Sequence, residues 1–166
     1  MSGYQLAQLN VAWAKADLDD PLLADFMANL DRINALADRS SGFVWRLQSG
    51  SGNATDIQVT DDPRLIVNLS VWEDADSLFD FVYKSAHTPI MARRREWFEK
   101  RREAIMVLWW VPAGHEPGVE EAMARLRQLN EGGPTAEAFT FKRRFPPPDA
   151  VSRAPADVAF EGCNAP

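Results

Sequence analysis

Cysteine is almost missing from this chain: Cys163 is the only one in 166 residues. A lone thiol supports neither an intrachain disulfide nor a cysteine-based metal cluster, so the hydrophobic core has to hold the fold. Long apolar runs are missing as well. None approaches the ~20 residues of a membrane span, and the N-terminus lacks the basic-then-apolar order of a secretion signal. These absences predict a cytoplasmic protein without a membrane partner. In that compartment the glycosylation patterns Asn53-Ala-Thr55 and Asn68-Leu-Ser70 are accidental. Positive charge is short, with 18 basic against 24 acidic residues and a net charge of -6. Nucleic-acid binding wants a basic footprint and is set aside. There is no glycine-rich phosphate loop, no H-E-x-x-H and no G-x-S-x-G. Nucleotide, zinc-hydrolase and serine-hydrolase chemistry are therefore not expected.

What is present is apolar and aromatic. Hydrophobic residues make up 46%, with six Trp and nine Phe, enough for one core in a chain of this length. The charge is uneven. Lys84 to Arg102 holds seven basic and two acidic residues, +5, which leaves -11 elsewhere.

Period-2 alternation predicts strands at Tyr4–Ala14, Phe43–Leu47, Arg64–Trp72 and Ile105–Val111. Asp19-Asp20-Pro21 starts a helix whose stripe is Leu23, Phe26, Leu30, Ile33 and Ala37, stopped at Ser40-Ser41-Gly42. Phe43, Trp45 and Leu47 are expected on one face of their strand. Residues 48–63 read as a loop, with a short strand at Ile57–Val59. Asp74 caps a helix over Ser77–Ser85, broken at His87-Thr-Pro89. A second helical piece runs from Pro89 to about Lys100, and another helix covers Glu120–Leu129. Ala138–Arg143 reads as an edge strand. Residues 1–145 form one domain and the Pro/Ala-rich stretch 146–166 a disordered tail.

The order β-α-β-β-α-β is that of a ferredoxin-like α+β fold, an antiparallel sheet with helices on one face. The other face needs cover. The face carrying amides among Trp, Met and Ile is taken as that open side, and a second copy of the chain would cover it.

Particular runs carry a resemblance to a known family. They are Gln8-Leu-Asn10, Ser41-Gly-Phe-Val-Trp-Arg46, Asn53-Ala-Thr55, Leu65-Ile-Val-Asn-Leu-Ser-Val-Trp72, Phe81-Val-Tyr83, His87, Arg93-Arg-Arg-Glu-Trp-Phe98 and Leu108-Trp-Trp-Val-Pro-Ala-Gly-His115. Across residues 4 to 144 the chain resembles the bacterial domain of unknown function 3291. That family sits among the dimeric α/β barrels, beside cofactor-free antibiotic-biosynthesis monooxygenases and haem proteins such as the chlorite dismutases. The resemblance implies a ferredoxin-like sheet paired into a dimeric α/β barrel, hence a homodimer. It implies no reaction, because fold does not fix function.

The candidate site gathers where strands meet the helix break. His87 is the proposed base, with Asn68 as the second catalytic residue; the plainer account of His87 is a helix-end side chain bonding a carbonyl. Gln8, Asn10 and Ser70 join Asn68 as polar positions on two strands, serving a ligand or an internal network. Trp72, Trp97 and Trp110 are candidate walls. Arg93, Arg94 and Arg95 spread over ~200° of a helix and cannot all face one site; Arg94 is the candidate ligand residue, while the sequence leaves open which of the three faces the pocket. Arg46 is a further anion partner, and His115 reads as surface. No metal site is expected. Three readings follow: a cofactor-free monooxygenase or isomerase acting on a small apolar or aromatic metabolite, a non-catalytic ligand-binding or accessory protein, and a haem protein with His87 as axial ligand.

Overall fold

A computed structural model describes residues 2–48, 60–85 and 88–151. The element order is β1 (Tyr4–Trp13), a 3-10 turn (Pro21–Leu23), α1 (Ala24–Asp38), β2 (Phe43–Arg46), β3 (Leu65–Trp72), α2 (Ala75–Lys84), α3 (Thr88–Ala92), α4 (Arg94–Trp97), β4 (Met106–Pro112), α5 (Val119–Gly132) and α6 (Pro148–Val151). The sheet is antiparallel in the order β2-β3-β1-β4. This is the α+β, ferredoxin-like arrangement expected from the pattern.

Local chemistry sets the boundaries. The Asp20 carboxylate accepts from Leu22 N at 2.8 Å, and Pro21 opens the turn that leads into α1. Asp74 accepts from Ser77 N at 2.7 Å and starts α2. Between them, Gly42 has φ +82°, and a Cβ there would lie 2.2 Å from Ser77 Oγ. Only glycine lets β2 pass so close to α2.

The strand register separates the two faces. Gln8 pairs with Ser70, Asn10 with Asn68 and Ala12 with Ile66. On the other side Leu6 pairs with Trp110, Gln8 with Leu108 and Asn10 with Met106. These residues share one face. The opposite face holds Ala7, Leu9, Val11, Val67, Leu69, Val71, Val107, Trp109 and Val111, all buried.

The assignment of the open side is corrected. The amide-bearing face is the one that α1, α2 and α4 cover, with a cavity between. The all-apolar face is closed within the same chain by Ala122, Leu126 and Leu129 of α5. The reason is hydrophobic burial: α5 offers a continuous apolar stripe to a wholly apolar surface. The apolar patch invoked to require a second copy is thus already covered.

Other boundaries shift too. A bulge between Phe43 and Trp45 sends these side chains to opposite faces, Phe43 with Trp72 and Trp45 with Val71. The expected helix from Pro89 to Lys100 is two short pieces, because Trp97 and Phe98 turn into the core and Phe98 bridges Ala14. Ala138–Arg143 makes a single bridge to the sheet, Phe139 to Leu108, between two tight turns. The stretch expected to be disordered from 146 begins with α6, whose Asp149 accepts from Ser2 Oγ at 2.9 Å and Gly3 N at 2.7 Å. Ile57–Val59 and residues 152–166 lie outside the described residues.

Candidate functional site

The cavity lies between the amide face of the sheet and the helices above it, with a volume of about 170 Å³. Cavities of roughly 150 Å³ take up a benzene ring, so this one suits a small aromatic body. Its floor is Asn10, Ala12, Ile66, Asn68, Ser70, Trp72 and Met106, with Gln8. Phe26, Leu30, Ile33 and Ala37 of α1 form the roof, and Leu78, Phe81, Val82, Ile90, Met91, Arg94 and Trp97 close the sides. The floor spans seven residues of β3, from Ile66 to Trp72, six steps that cover ~20 Å at strand rise.

The polar row on the floor is partly self-satisfied. Gln8 Nε2 donates to Asn68 Oδ1 at 3.0 Å, Ser70 Oγ at 3.1 Å and the Asn68 carbonyl at 3.3 Å. Trp72 Nε1 donates to Ser70 Oγ at 2.9 Å. Ser70 therefore accepts two N–H groups, which polarises its own O–H for donation. Gln8 is a buried positioning group rather than a ligand contact, since its donors are spent inside the network. Asn68 is held by its Oδ1, which leaves Nδ2 without an acceptor among the described residues. The Asn10 carboxamide has no hydrogen-bond partner among them either. Asn68 is exposed and Asn10 half-buried, so their free donors open onto the cavity, where a ligand oxygen can take them.

The aromatic walls divide. Trp72 is 1% exposed, stacked on Phe81 at 5.2 Å and met edge-on by Phe43 at 5.5 Å. Trp97 lines the opposite end with Phe98 and Ile90. Trp110 does not line the cavity. It shares the face, but its Nε1 donates to the Phe145 carbonyl at 2.8 Å and its ring packs on Phe139. The C-terminal segment has claimed it.

The three consecutive arginines separate as their helical spacing requires. Arg93 turns outward to Glu96 at 2.8 Å and Asp25 at 2.9 Å, over the Trp97 ring. Its hydrogen bond holds the Glu96 carboxyl below the usual range. Arg95 is exposed. Arg94 faces the cavity, where burial lowers its pKa. Arg46 also lines the cavity, but Asp38 neutralises it at 2.7 Å. His115 is at the surface, 2.8 Å from Glu121. His87 lies outside the described residues, while Val82 and Ile90 before and after it line the cavity.

Asn29 and Asn34 of α1 also line the cavity, and the sequence reading missed them. The signal was available: Asn34 follows Leu30 by four and so adjoins the apolar stripe. Among the described residues no group of three or more His, Cys, Asp or Glu is placed to hold a metal. No described helix is long and apolar enough to cross a membrane.

No curated protein matches the chain. Several solved structures share a distant likeness over part of the chain. SnoaB from Streptomyces nogalater, a cofactor-independent oxygenase, is 18% identical with a TM-score of 0.42, covering 68% of this chain and 95% of SnoaB. PA3566 from Pseudomonas aeruginosa is 13% identical with a TM-score of 0.45, covering 69% of this chain and 98% of its own. A protein of unknown function from Nitrosomonas europaea is 18% identical with a TM-score of 0.42, covering 70% and 97%. Likenesses this distant say nothing about chemistry. A family match spans far more: residues 5–155 match the domain of unknown function DUF3291, and the chain belongs to that family.

Proposed function

We propose that the cavity binds a small apolar, aromatic metabolite and that the chain is a monooxygenase-type enzyme needing no organic cofactor. The observation that carries this reading is the pair of amides with free donors, Asn10 and Asn68, on a floor they share with Ala12, Ile66, Trp72 and Met106. A ligand carbonyl or enol oxygen placed there accepts from Asn68 Nδ2, with Asn10 and the Ser70 hydroxyl beside it. Donors fixed where negative charge develops are the strongest lever such a site has.

An acidic CH2 next to that oxygen then loses a proton, and the amides stabilise the enolate. The carbanion reduces molecular oxygen, forming a C–O bond and, after protonation, a hydroperoxide. Loss of water leaves a ketone, so CH2 and O2 become C=O and H2O. His87 is proposed as the base. The isomerase alternative uses the same first step and returns the proton to another carbon.

A second reading, ligand binding without chemistry, is favoured by one observation: among the described residues lining the cavity there is no Asp, Glu or His. Haem fits less well. Its macrocycle is several times a benzene ring in size, and about 170 Å³ is room for one or two fused rings only.

Oxygen uptake with 2-indanone-type probes, one benzene ring carrying an acidic CH2 beside a carbonyl, tests the reading. Asn68→Ala is expected to lower turnover ~100-fold while the melting temperature hardly moves. Binding of the same probes without oxygen uptake favours the second reading. No binding at all removes both.

The homodimer implied by the family resemblance stays a proposal. The amide-bearing sheet face that suggested it is covered by α1, α2 and α4, and the opposite face by α5, so a second copy would use another surface.

A further inference from the structure

We infer that the ligand of this cavity is an organic anion, an aromatic carboxylate, and that Arg94 is the residue that selects it. This rests on the reading of the cavity as a small-molecule site. Two cations line the cavity, and no carboxylate does among the described residues. Arg46 is matched by Asp38. Arg94 has neither an ion pair nor a side-chain hydrogen bond with any described residue. The chain holds 24 acidic side chains against 18 basic ones, so the missing partner does not reflect a shortage of acids. Arg93, its neighbour, takes two of them.

Arg94 opens α4, one turn before Trp97. Trp97 belongs to the cluster at the Ala12 and Ile66 end of the floor. Trp72, with Phe81 and Phe43, closes the other end. The cavity therefore has a direction. A cation stands at one end, stacked aromatics at the other, and Asn10 and Asn68 between them. A guanidinium matches a carboxylate through two parallel N–H donors, and burial strengthens the pairing. The half-buried charge, whose protonated form burial already disfavours, gains its partner only when the ligand arrives. A flat ring bearing one carboxylate fits this order, with the acid at Arg94, the ring over the amides and the far edge against Trp72.

Calorimetric titration of the full chain with 2-naphthoate and its neutral counterpart 2-naphthamide tests this. The wild type is expected to bind naphthoate at least ~10-fold more tightly than the amide, the scale of a charge-assisted pair. Arg94→Gln should bring naphthoate down to the level of the amide and leave the amide unchanged. Arg94→Lys should keep part of the preference, because a point charge lacks the fork. Arg94→Gln should also melt at or above the wild-type temperature, since it removes an unpaired charge. Equal binding of the two probes to the wild type, or a naphthoate preference that survives in Arg94→Gln, overturns the inference and leaves the cavity reading standing. If neither probe binds, the cavity reading falls and the inference with it.

Discussion

Ser70→Ala separates the polar row's structural members from its ligand-facing ones. Ser70 Oγ accepts from Gln8 at 3.1 Å and from Trp72 at 2.9 Å. Ser70 and Gln8 are each 6% exposed and Trp72 is 1% exposed. Removing the oxygen strands the indole N–H where water hardly reaches, a loss of about 1–3 kcal/mol. Gln8 loses less, because Asn68 Oδ1 and the Asn68 carbonyl still accept from it. The expected total is roughly 2–3 kcal/mol. For a chain of this length that lowers the melting temperature by roughly 4–12 °C. Urea unfolding of Ser70→Ala, Trp72→Phe and the double variant measures it. The two changes should be non-additive by about 1 kcal/mol or more, since both remove the same bond. A Ser70→Ala protein within about 0.5 kcal/mol of wild type, or strict additivity, would refute the network as drawn.

Other perturbations separate the remaining parts. Leu126→Ala, on the helix that closes the apolar sheet face, should cost about 2–5 kcal/mol in urea unfolding; a cost below about 1 kcal/mol would mean that α5 is not the cover. His87→Ala should lower turnover ~100-fold with little change in melting temperature, while His115→Ala changes neither; the reverse pattern makes His87 structural. Asp149→Ala should cost about 1 kcal/mol by losing its bonds to Ser2 and Gly3, whereas removing residues 152–166 should cost less than that. Sedimentation is expected to give twice 18.6 kDa; a monomer at tens of micromolar would remove the homodimer proposal.

Much of the fold was legible because burial imposes a simple period. Alternation along β1, β3 and β4 named the strands, and Asp20-Pro21 and Asp74 named the helix starts, since both are local chemistry. Gln8, Asn10, Asn68 and Ser70 stood out as amides and a hydroxyl where apolar neighbours were the rule. Which face the helices would cover was not legible. That choice depends on α5, distant in sequence, outbidding a second chain for the apolar surface. The bulge at Phe43 and Trp45 adds one residue that no alternation reveals. Trp110 looked like a wall until the Phe145 carbonyl, 35 residues away, took its N–H. Arg94 was separable from Arg93 and Arg95 only once α4 had an orientation. The division of labour within the polar row was also hidden. Gln8 and Asn68 differ in role because the register lets one amide spend its donors on the other.

The central claim is that a small aromatic ligand sits on the amide floor beneath α1. Nitrogen-edited NMR during titration with 2-naphthoate reads that floor directly, through the side-chain NH2 signals of asparagine. The account expects the Asn10 and Asn68 NH2 signals to shift and saturate together, with the Gln8 NH2, already bonded inside, moving less. Saturable binding that leaves both asparagines unmoved, and shifts instead the aromatics Phe79, Tyr83 and Phe141 packed together outside the cavity, would contradict it.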